Sequence, residues 1–392
     1  MYAKLISGAL YGIEAEKVAV ESDISGGLPA LVIVGLPDAS VKESKDRVRS
    51  AILNSGFKFP IGRITVNLAP ANTRKEGSHF DLPIAICILV SSGIIEKRIA
   101  EEYAFIGELS LDGKVNGING TLPLIIGLRE NGIKKVFLPF DNILEASVID
   151  DVALYPVNDL KEAVRNLRSK TSIDPYERGE YRPEMHVVAD DFADVSGQEY
   201  VKRSLQIAAA AMHNILMVGP PGVGKSMLAR RIPGIMQPMT YNEKLELTKI
   251  YSIAGMLNKN KMLIDERPFR APHHTISDVA LLGGGSRPRP GEISLAHYGV
   301  LFLDELPEFS RSVLEVLRQP MEDEYICIAR SRGRVKFPAK ILLVASMNFC
   351  PCGYFGDPRH QCTCTPWQIQ KYLSKLSGPL MDRMGHKRNI LL

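Results

Sequence analysis

The sequence lacks any apolar run near the roughly 18 residues that cross a bilayer as a helix, which argues against a membrane-spanning class. It also lacks a signal peptide. The opening MYAKLISGALYGIEAEKV puts one lysine before a short apolar patch and reaches Glu14 and Glu16 too soon. These two absences give the expectation of a cytoplasmic protein. A strong charge of one sign is missing too. A net charge of +4 and a pI near 8.6 are only mildly basic, so the totals do not point to nucleic acid and local clustering would have to. There is no internal repeat and no low-complexity tract. Cysteine is scarce outside one short stretch: of six, Cys87 and Cys327 sit alone in apolar strings and read as buried small hydrophobes. The other four fall between residues 350 and 364, and in a cytosolic chain such crowding points to metal or redox chemistry before structural disulfides.

What is present is ordinary globular composition, 45% hydrophobic and 23% charged. At 392 residues the chain exceeds one ordinary core, and about 100 to 200 residues per domain predicts two or three domains, with two as the simplest division. Residues 1–168 alternate strands and helices. ALVIVG (30–35) and RITVNL (63–68) are β-rich runs, and between them Val41, Val48 and Ile52 share one helical face opposite Lys42, Glu43, Asp46 and Arg49. KVFLP (135–139) is a further strand after a helix ending at Asn131-Gly132. Residues 169–191 are charged, hold two prolines and have no apolar period, which fits a linker. The second domain then covers 192–392, and the fold class is α/β throughout.

NILMV (214–218) is a short buried strand followed directly by GPPGVGKS (219–226) and the helical stretch MLARRI, so the full G-x-x-x-x-G-K-[ST] pattern stands in its required strand, loop, helix context. Gly219, Gly222 and Gly224 let backbone N–H groups converge on phosphate oxygens at the positive end of the helix. Lys225 is placed for the β- and γ-phosphates of ATP and the Ser226 hydroxyl for Mg²⁺. GVLFLDEL (299–306) supplies Asp304 for the Mg²⁺ shell and Glu305 to polarise an attacking water. Alone, that run would equally describe a buried strand ending in an acidic turn; the P-loop makes the catalytic reading the stronger one. KILLVASMN (340–348) ends in Asn348, which either orients water beside the γ-phosphate or simply closes a strand.

Together with the P-loop, RAPHHTISDVALLGGGSRPRPGEISLAHYGVLFLDELPEFSRSVLEVLRQPMED (270–323) and IARSRGRVKFPAKILLVASMNFCPCGYFG resemble the Mg-chelatase-like AAA+ ATPases of the YifB/ComM competence type, over essentially the whole chain. The resemblance implies a P-loop AAA+ core with a parallel sheet in which Asn348 is the sensor-1 residue. It makes Arg383, in GPLMDR, an arginine finger acting on ATP bound by a neighbouring subunit, and so implies a ring, usually of six. His273, His274, Arg287 and Arg289 lie in a long connection that reads as an inserted loop, since adjacent histidines rarely face one ion. Arg330, Arg332, Arg334 and Lys336 alternate, and as a hairpin would form one basic edge. That edge is open to two readings: a solvated rim kept from aggregating by its charges, or a pore-lining hairpin on DNA phosphates, which the resemblance favours.

The cysteine stretch FCPCGYFGDPRHQCTCTP pairs Cys350 with Cys352 and Cys362 with Cys364, a set able to surround a tetrahedral Zn²⁺ as a closed structural site, with His360 as a reserve ligand. Reduced thiols without metal remain the alternative, because C-x-C is a less common zinc spacing than C-x-x-C. Residues 1–168 resemble the proteolytic domain of Lon, of the ribosomal-S5-domain-2-like group. KEGSHFDLPIA (75–85) matches the nucleophile segment, yet His79 stands where the serine belongs and Leu124 where the lysine belongs. Ser78 has no lysine to act as its base, so peptidase activity is not expected. A scaffold or a nucleic-acid-facing platform is.

The resemblance leads to an ATP-driven ring motor on DNA, acting in branch migration or helicase-like remodelling during recombination or natural transformation. A second reading is an ATPase that remodels a protein or metal-chelatase partner, and a third a non-catalytic nucleotide-binding remnant. After Arg383 the residues MGHKRNILL match nothing in the family, whose C-terminal helical lid carries a sensor-2 arginine. The lid is expected to be missing, by truncation, a shifted frame or a natural short form, and turnover to be slow or absent for want of that arginine.

Overall fold

The computed structural model describes every residue except 170–173, 180–190, 259, 286–287, 331–332, 359, 385 and 390–392. The stretch read as a linker falls mostly on residues outside that set. Two units are formed: Met1–Arg182 with Tyr251–Leu263, and Pro183–Ile250 with Ile264–Leu392. No helix among the described residues is long and apolar enough to cross a membrane.

The first unit is built on a seven-stranded sheet. β1 (Tyr2–Tyr11) and β2 (Glu14–Ser25) form a hairpin, and β2 also pairs antiparallel with β4 (Arg63–Ala69), which carries β3 (Ala30–Val34) in parallel at the edge. On the other side of β1 lie β5 (Ala104–Phe105), β6 (Lys135–Pro139) and β7 (Ala153–Val157), all parallel. Helix α1 (Ala39–Asn54) starts where the Asp38 side chain accepts from the Val41 N–H at 2.8 Å. It buries Val41, Val48, Ala51 and Ile52, the face its sequence predicts. Helix α2 (Asp81–Ser91, DLPIAICILVS) is apolar almost all round and wholly buried, Cys87 included. The segment Tyr251–Leu263 groups with this unit through Ser252, whose Oγ donates to Glu145 at 2.7 Å and whose carbonyl accepts from Gly120 at 3.0 Å. Asn142 Nδ2 donates to the same carboxyl at 2.6 Å.

The second unit holds a five-stranded, all-parallel sheet. Its strands are β8 (Ile215–Val218), β9 (Phe269–Arg270), β10 (Val300–Leu303), β13 (Leu342–Met347) and β14 (His386–Asn389), in the order β9-β10-β13-β8-β14. An antiparallel hairpin, β11 (Tyr325–Arg330) with β12 (Gly333–Pro338), stands between β10 and β13 in the chain. Strands buried on both faces read as unbroken apolar runs, which is how VLFL and LLVASM read. Their side chains pack with Leu205 and Ala208 of one helix and Leu228 and Ile232 of the helix after the P-loop. Residues after Arg383 supply β14 beside β8.

Candidate nucleotide site and cysteine cluster

All five parallel strands end on one side of the sheet, the edge where open α/β sheets bind their ligands. β8 runs straight into the P-loop, where Gly222 and Gly224 have φ of +79° and +84°, a region open to glycine at little cost. Lys225 opens the next helix with its ammonium turned back under the loop. Its Nζ donates to the Gly219 carbonyl at 2.8 Å, the Pro220 carbonyl at 2.9 Å and Asn348 Oδ1 at 3.0 Å. Burial lowers the Lys225 pKa, and the charges of Asp304 and Glu305 pull it back up. Ser226 Oγ donates to Asp304 Oδ2 at 2.8 Å, and Ser346 Oγ donates to the other carboxylate oxygen of Asp304.

Strand register accounts for this convergence. Val218 pairs with Met347 and Leu303 with Ala345, so Gly219 leaves the sheet beside Asn348, and Asp304 beside Ser346. The site therefore offers a cradle of backbone N–H groups, a cation beneath it, and a hydroxyl already joined to a carboxylate. This donor set fits a nucleotide polyphosphate with Mg²⁺, which Ser226 and Asp304 would hold. Glu305 follows in a left-handed conformation, φ 53°, with its side chain exposed.

A neighbour of Glu305 was not anticipated. Arg270 pairs with Leu301, and the four residues after each run on to His274 and Glu305, whose Nδ1 and Oε2 lie 4.0 Å apart. The ring of His273 packs on that of His274 with centroids 4.0 Å apart. The inserted loop thus begins with a histidine at ion-pair distance from the proposed water-polarising group. Arg383 is elsewhere: its Nη1 donates to the Pro379 carbonyl at 2.9 Å and the guanidinium pairs with Glu322.

The four clustered cysteines come together, with all ligand atoms within 4.8 Å of one another. Cys350 and Cys352 sulfurs are 3.3 Å apart, Cys350 and Cys362 3.7 Å, and Cys352 and Cys362 3.6 Å. Tetrahedral Zn–S bonds of about 2.3 Å would set neighbouring sulfurs about 3.8 Å apart. Backbone N–H groups point at the sulfurs, from Phe355 to Cys350 at 3.3 Å and from Cys352 to Cys364 at 3.4 Å. Backbone donors at Tyr354 and Thr363 bring the Cys352 thiol down to about 5, a thiolate at neutral pH. Cys362 goes up to about 12. The Cys364 N–H favours its charge, but burial and the bonds to Cys352 and Cys350 outweigh that. Metal ligation uses the thiolate form, which a bound cation would favour. His360 is turned to Asp357, 3.4 Å away, and not to the thiols.

The basic hairpin needs correction. Arg334 and Lys336 alternate with buried Val335 and Phe337 and are both exposed. Arg330, however, lies on the opposite strand across from Gly333, one place along from the Ala329–Arg334 pair, so it falls outside the alternation of Arg334 and Lys336. Arg332 lies outside the described residues, as does Arg287. Cys327, expected to be buried, is only half-buried, because it faces outward across from Lys336.

With this geometry in place, the sequence was compared with known proteins. The family described as magnesium chelatase, subunit ChlI, matches residues 191–390, and a second description, subunit ChlI of Mg-chelatase, matches residues 20–142. The chain belongs to this family. Within it the similarity to the ComM and YifB proteins is high. The competence protein ComM of Haemophilus influenzae is 43% identical over 97% of this chain and 75% of its own length. An uncharacterized YifB protein of Escherichia coli is 43% identical over 96% of this chain and 73% of its own length. A Lon protease of Buchnera aphidicola is 22% identical over 39% of this chain and 21% of its own length.

In this family member the Lon-like positions carry other contacts. Ser78 Oγ donates to the carboxylate of Glu108, which also accepts from Asn116 Nδ2 at 3.3 Å. His79 is buried, its Nε2 2.9 Å from the Gly8 carbonyl, and burial lowers its pKa to about 4 despite that bond. Leu124 is a core residue at 0% exposure, and Lys75 is spent on the carbonyls of Pro70 and Thr73.

Proposed function

We propose that the chain is an ATP-binding AAA+ motor subunit that works in a ring and acts on DNA, without peptidase activity. One observation carries the nucleotide reading: the hydrogen-bonded pairs Lys225–Asn348 and Ser226–Asp304 stand together at the carboxyl ends of three adjacent parallel strands. Bound Mg²⁺ would supply charge neutralisation for the polyphosphate. The chain's own parts are Lys225, which exchanges its carbonyl partners for phosphate oxygens, Asn348, which orients the water, and Glu305, which accepts its proton. Arg383, held by Glu322 away from these groups, is assigned to the site of a neighbouring subunit. DNA as the substrate is supported by the competence protein among the relatives and by exposed Arg334 and Lys336. The four cysteines are assigned to a structural Zn²⁺, supported by sulfur spacings near those of a tetrahedral site. The name of the family supports a second reading, an ATPase that remodels a protein or chelatase partner.

Steady-state ATP hydrolysis with single-stranded or branched DNA, beside a Lys225→Ala variant, tests the proposal. DNA-stimulated turnover that Lys225→Ala abolishes is the expected result. Turnover indifferent to DNA but raised by a protein partner would transfer the assignment to the second reading. Turnover equal in the variant would sink the nucleotide site itself.

A further inference from the structure

The cysteine cluster touches the nucleotide site at three points. Cys350, at 0% exposure, follows Asn348 by two residues, so whatever fixes its sulfur also fixes the end of β13. Gly353, the first residue of the loop between the two cysteine pairs, lies flat on the P-loop: a Cβ there would come within 2.6 Å of Cγ and 2.7 Å of Cδ of Pro221, and within 3.8 Å of Cγ of Asn348. Its φ of +89° lets the backbone turn there. On the far side, Thr365 follows Cys364 and caps the helix Pro366–Leu373 in a reciprocal capping box with Gln368. That helix carries buried Tyr372, whose hydroxyl is bonded to the backbone of Asn348. The chain therefore leaves Asn348, wraps the four sulfurs, presses on Pro221 and returns to Asn348.

We infer that the four-cysteine cluster is a metal-dependent buttress of the P-loop, so that Zn²⁺ held by Cys350, Cys352, Cys362 and Cys364 sets the affinity of the site for ATP. The inference rests on the readings that the P-loop takes ATP and that the thiols take zinc. The four sulfurs lie within 4.8 Å of one another, so one ion would tie both ends of the loop that carries Gly353 to the end of β13. With the metal in place, Pro221 is backed by rigid chain and the loop is held in its phosphate-binding shape. Without it, ATP must order both the P-loop and the Gly353 loop on binding, and the ordering cost is subtracted from affinity. Asn348 would loosen together with them, since its side chain and backbone are both tied to this assembly.

The test uses the full chain, with zinc measured by atomic absorption and ATP binding by equilibrium dialysis with Mg²⁺ present. Zinc-loaded protein is expected to carry about one ion per chain. Chelator-stripped protein and the Cys352→Ser variant are expected to bind ATP about tenfold more weakly, with zinc restoring only the former. Pro221→Ala removes the contact from the P-loop side and leaves the cysteines intact. It is expected to keep its zinc, to bind ATP about as weakly as stripped wild type, and to respond less than about twofold to stripping. Circular dichroism of stripped wild type and stripped variant checks that both stay folded, so that the zinc response of each reads the site and not unfolding. Equal ATP affinity in loaded and stripped wild type overturns the coupling, as does full zinc sensitivity in Pro221→Ala. A chain that takes up no zinc overturns the metal reading and the inference with it. ATP binding unchanged in Lys225→Ala overturns the nucleotide reading separately.

Discussion

A buried histidine whose ring nitrogen meets only a main-chain carbonyl is a pH-dependent liability, and His79, with Asp38 acting on it from further off, is one. Its folded pKa, about 4, lies below the ordinary 6.5 because burial disfavours the imidazolium, while the Gly8 carbonyl offsets this only in part. Below pH 6.5 the unfolded chain takes up a proton that the folded chain refuses. The contribution of neutral His79 is therefore complete above pH 6.5 and is lost as the pH falls toward 4. At pH 5 the loss comes to about 2 kcal/mol. His79→Gln keeps an N–H for the Gly8 carbonyl and does not titrate. Denaturant unfolding of both proteins at pH 7.5 and pH 5 should show the wild type losing about 2 kcal/mol more than the variant. Equal losses would mean that His79 is protonated in the folded state. The same residue shows why the Lon-like site is not assembled: the position resembling the nucleophile's holds a ring packed 4.2 Å from Phe80, with its nitrogen committed to a main-chain carbonyl.

At the scale of elements, the nucleotide site was readable because its parts are continuous in sequence. Strand, glycine loop and helix follow without a break, and each of β10 and β13 ends in the polar residue it delivers. The pairing of His274 with Glu305 was not, since 31 positions separate them and only the parallel register of β9 with β10 lays one beside the other. β9 is two residues long and has no hydrophobic pattern to announce it. The Gly353 contact with Pro221 was hidden for a similar reason: C-x-C spacing indicates a ligand set but not the surface that set leans on. The β11–β12 hairpin was legible, but which of its cations share a face was not, since that depends on the register of the ladder. Arg334 and Lys336 still share one exposed face, with the Lys336 ammonium 4.6 Å from the centre of the Tyr325 ring. If this face meets DNA phosphates, replacing both residues by serine lowers the slope of log affinity against log salt by about two, one for each contact removed. Binding measured across a salt series checks this. A weaker affinity with an unchanged slope would place phosphate contacts elsewhere.

For the whole molecule, the decisive relation is between residues that one chain does not bring together. Arg383 is engaged with Glu322 and the Pro379 carbonyl, while Lys225 bonds to Asn348 and Ser226 to Asp304. If a neighbouring copy supplies Arg383, each working site needs an intact P-loop from one subunit and an intact Arg383 from the next. Lys225→Ala subunits lack the first and keep the second; Arg383→Ala subunits do the reverse. Each variant alone should form no working site. Mixed in equal amounts and allowed to exchange, they should recover hydrolysis at about a quarter of the interfaces, those where an Arg383→Ala P-loop faces a Lys225→Ala finger. The recovered rate should rise and fall with mixing ratio as the product of the two fractions, a dependence that contamination by wild type would not give. No recovery in mixtures shown by native mass spectrometry to contain both variants would mean that Arg383 serves its own subunit. In that case the Glu322 pair would have to open before hydrolysis, and Glu322→Gln should then raise the rate of the single chain.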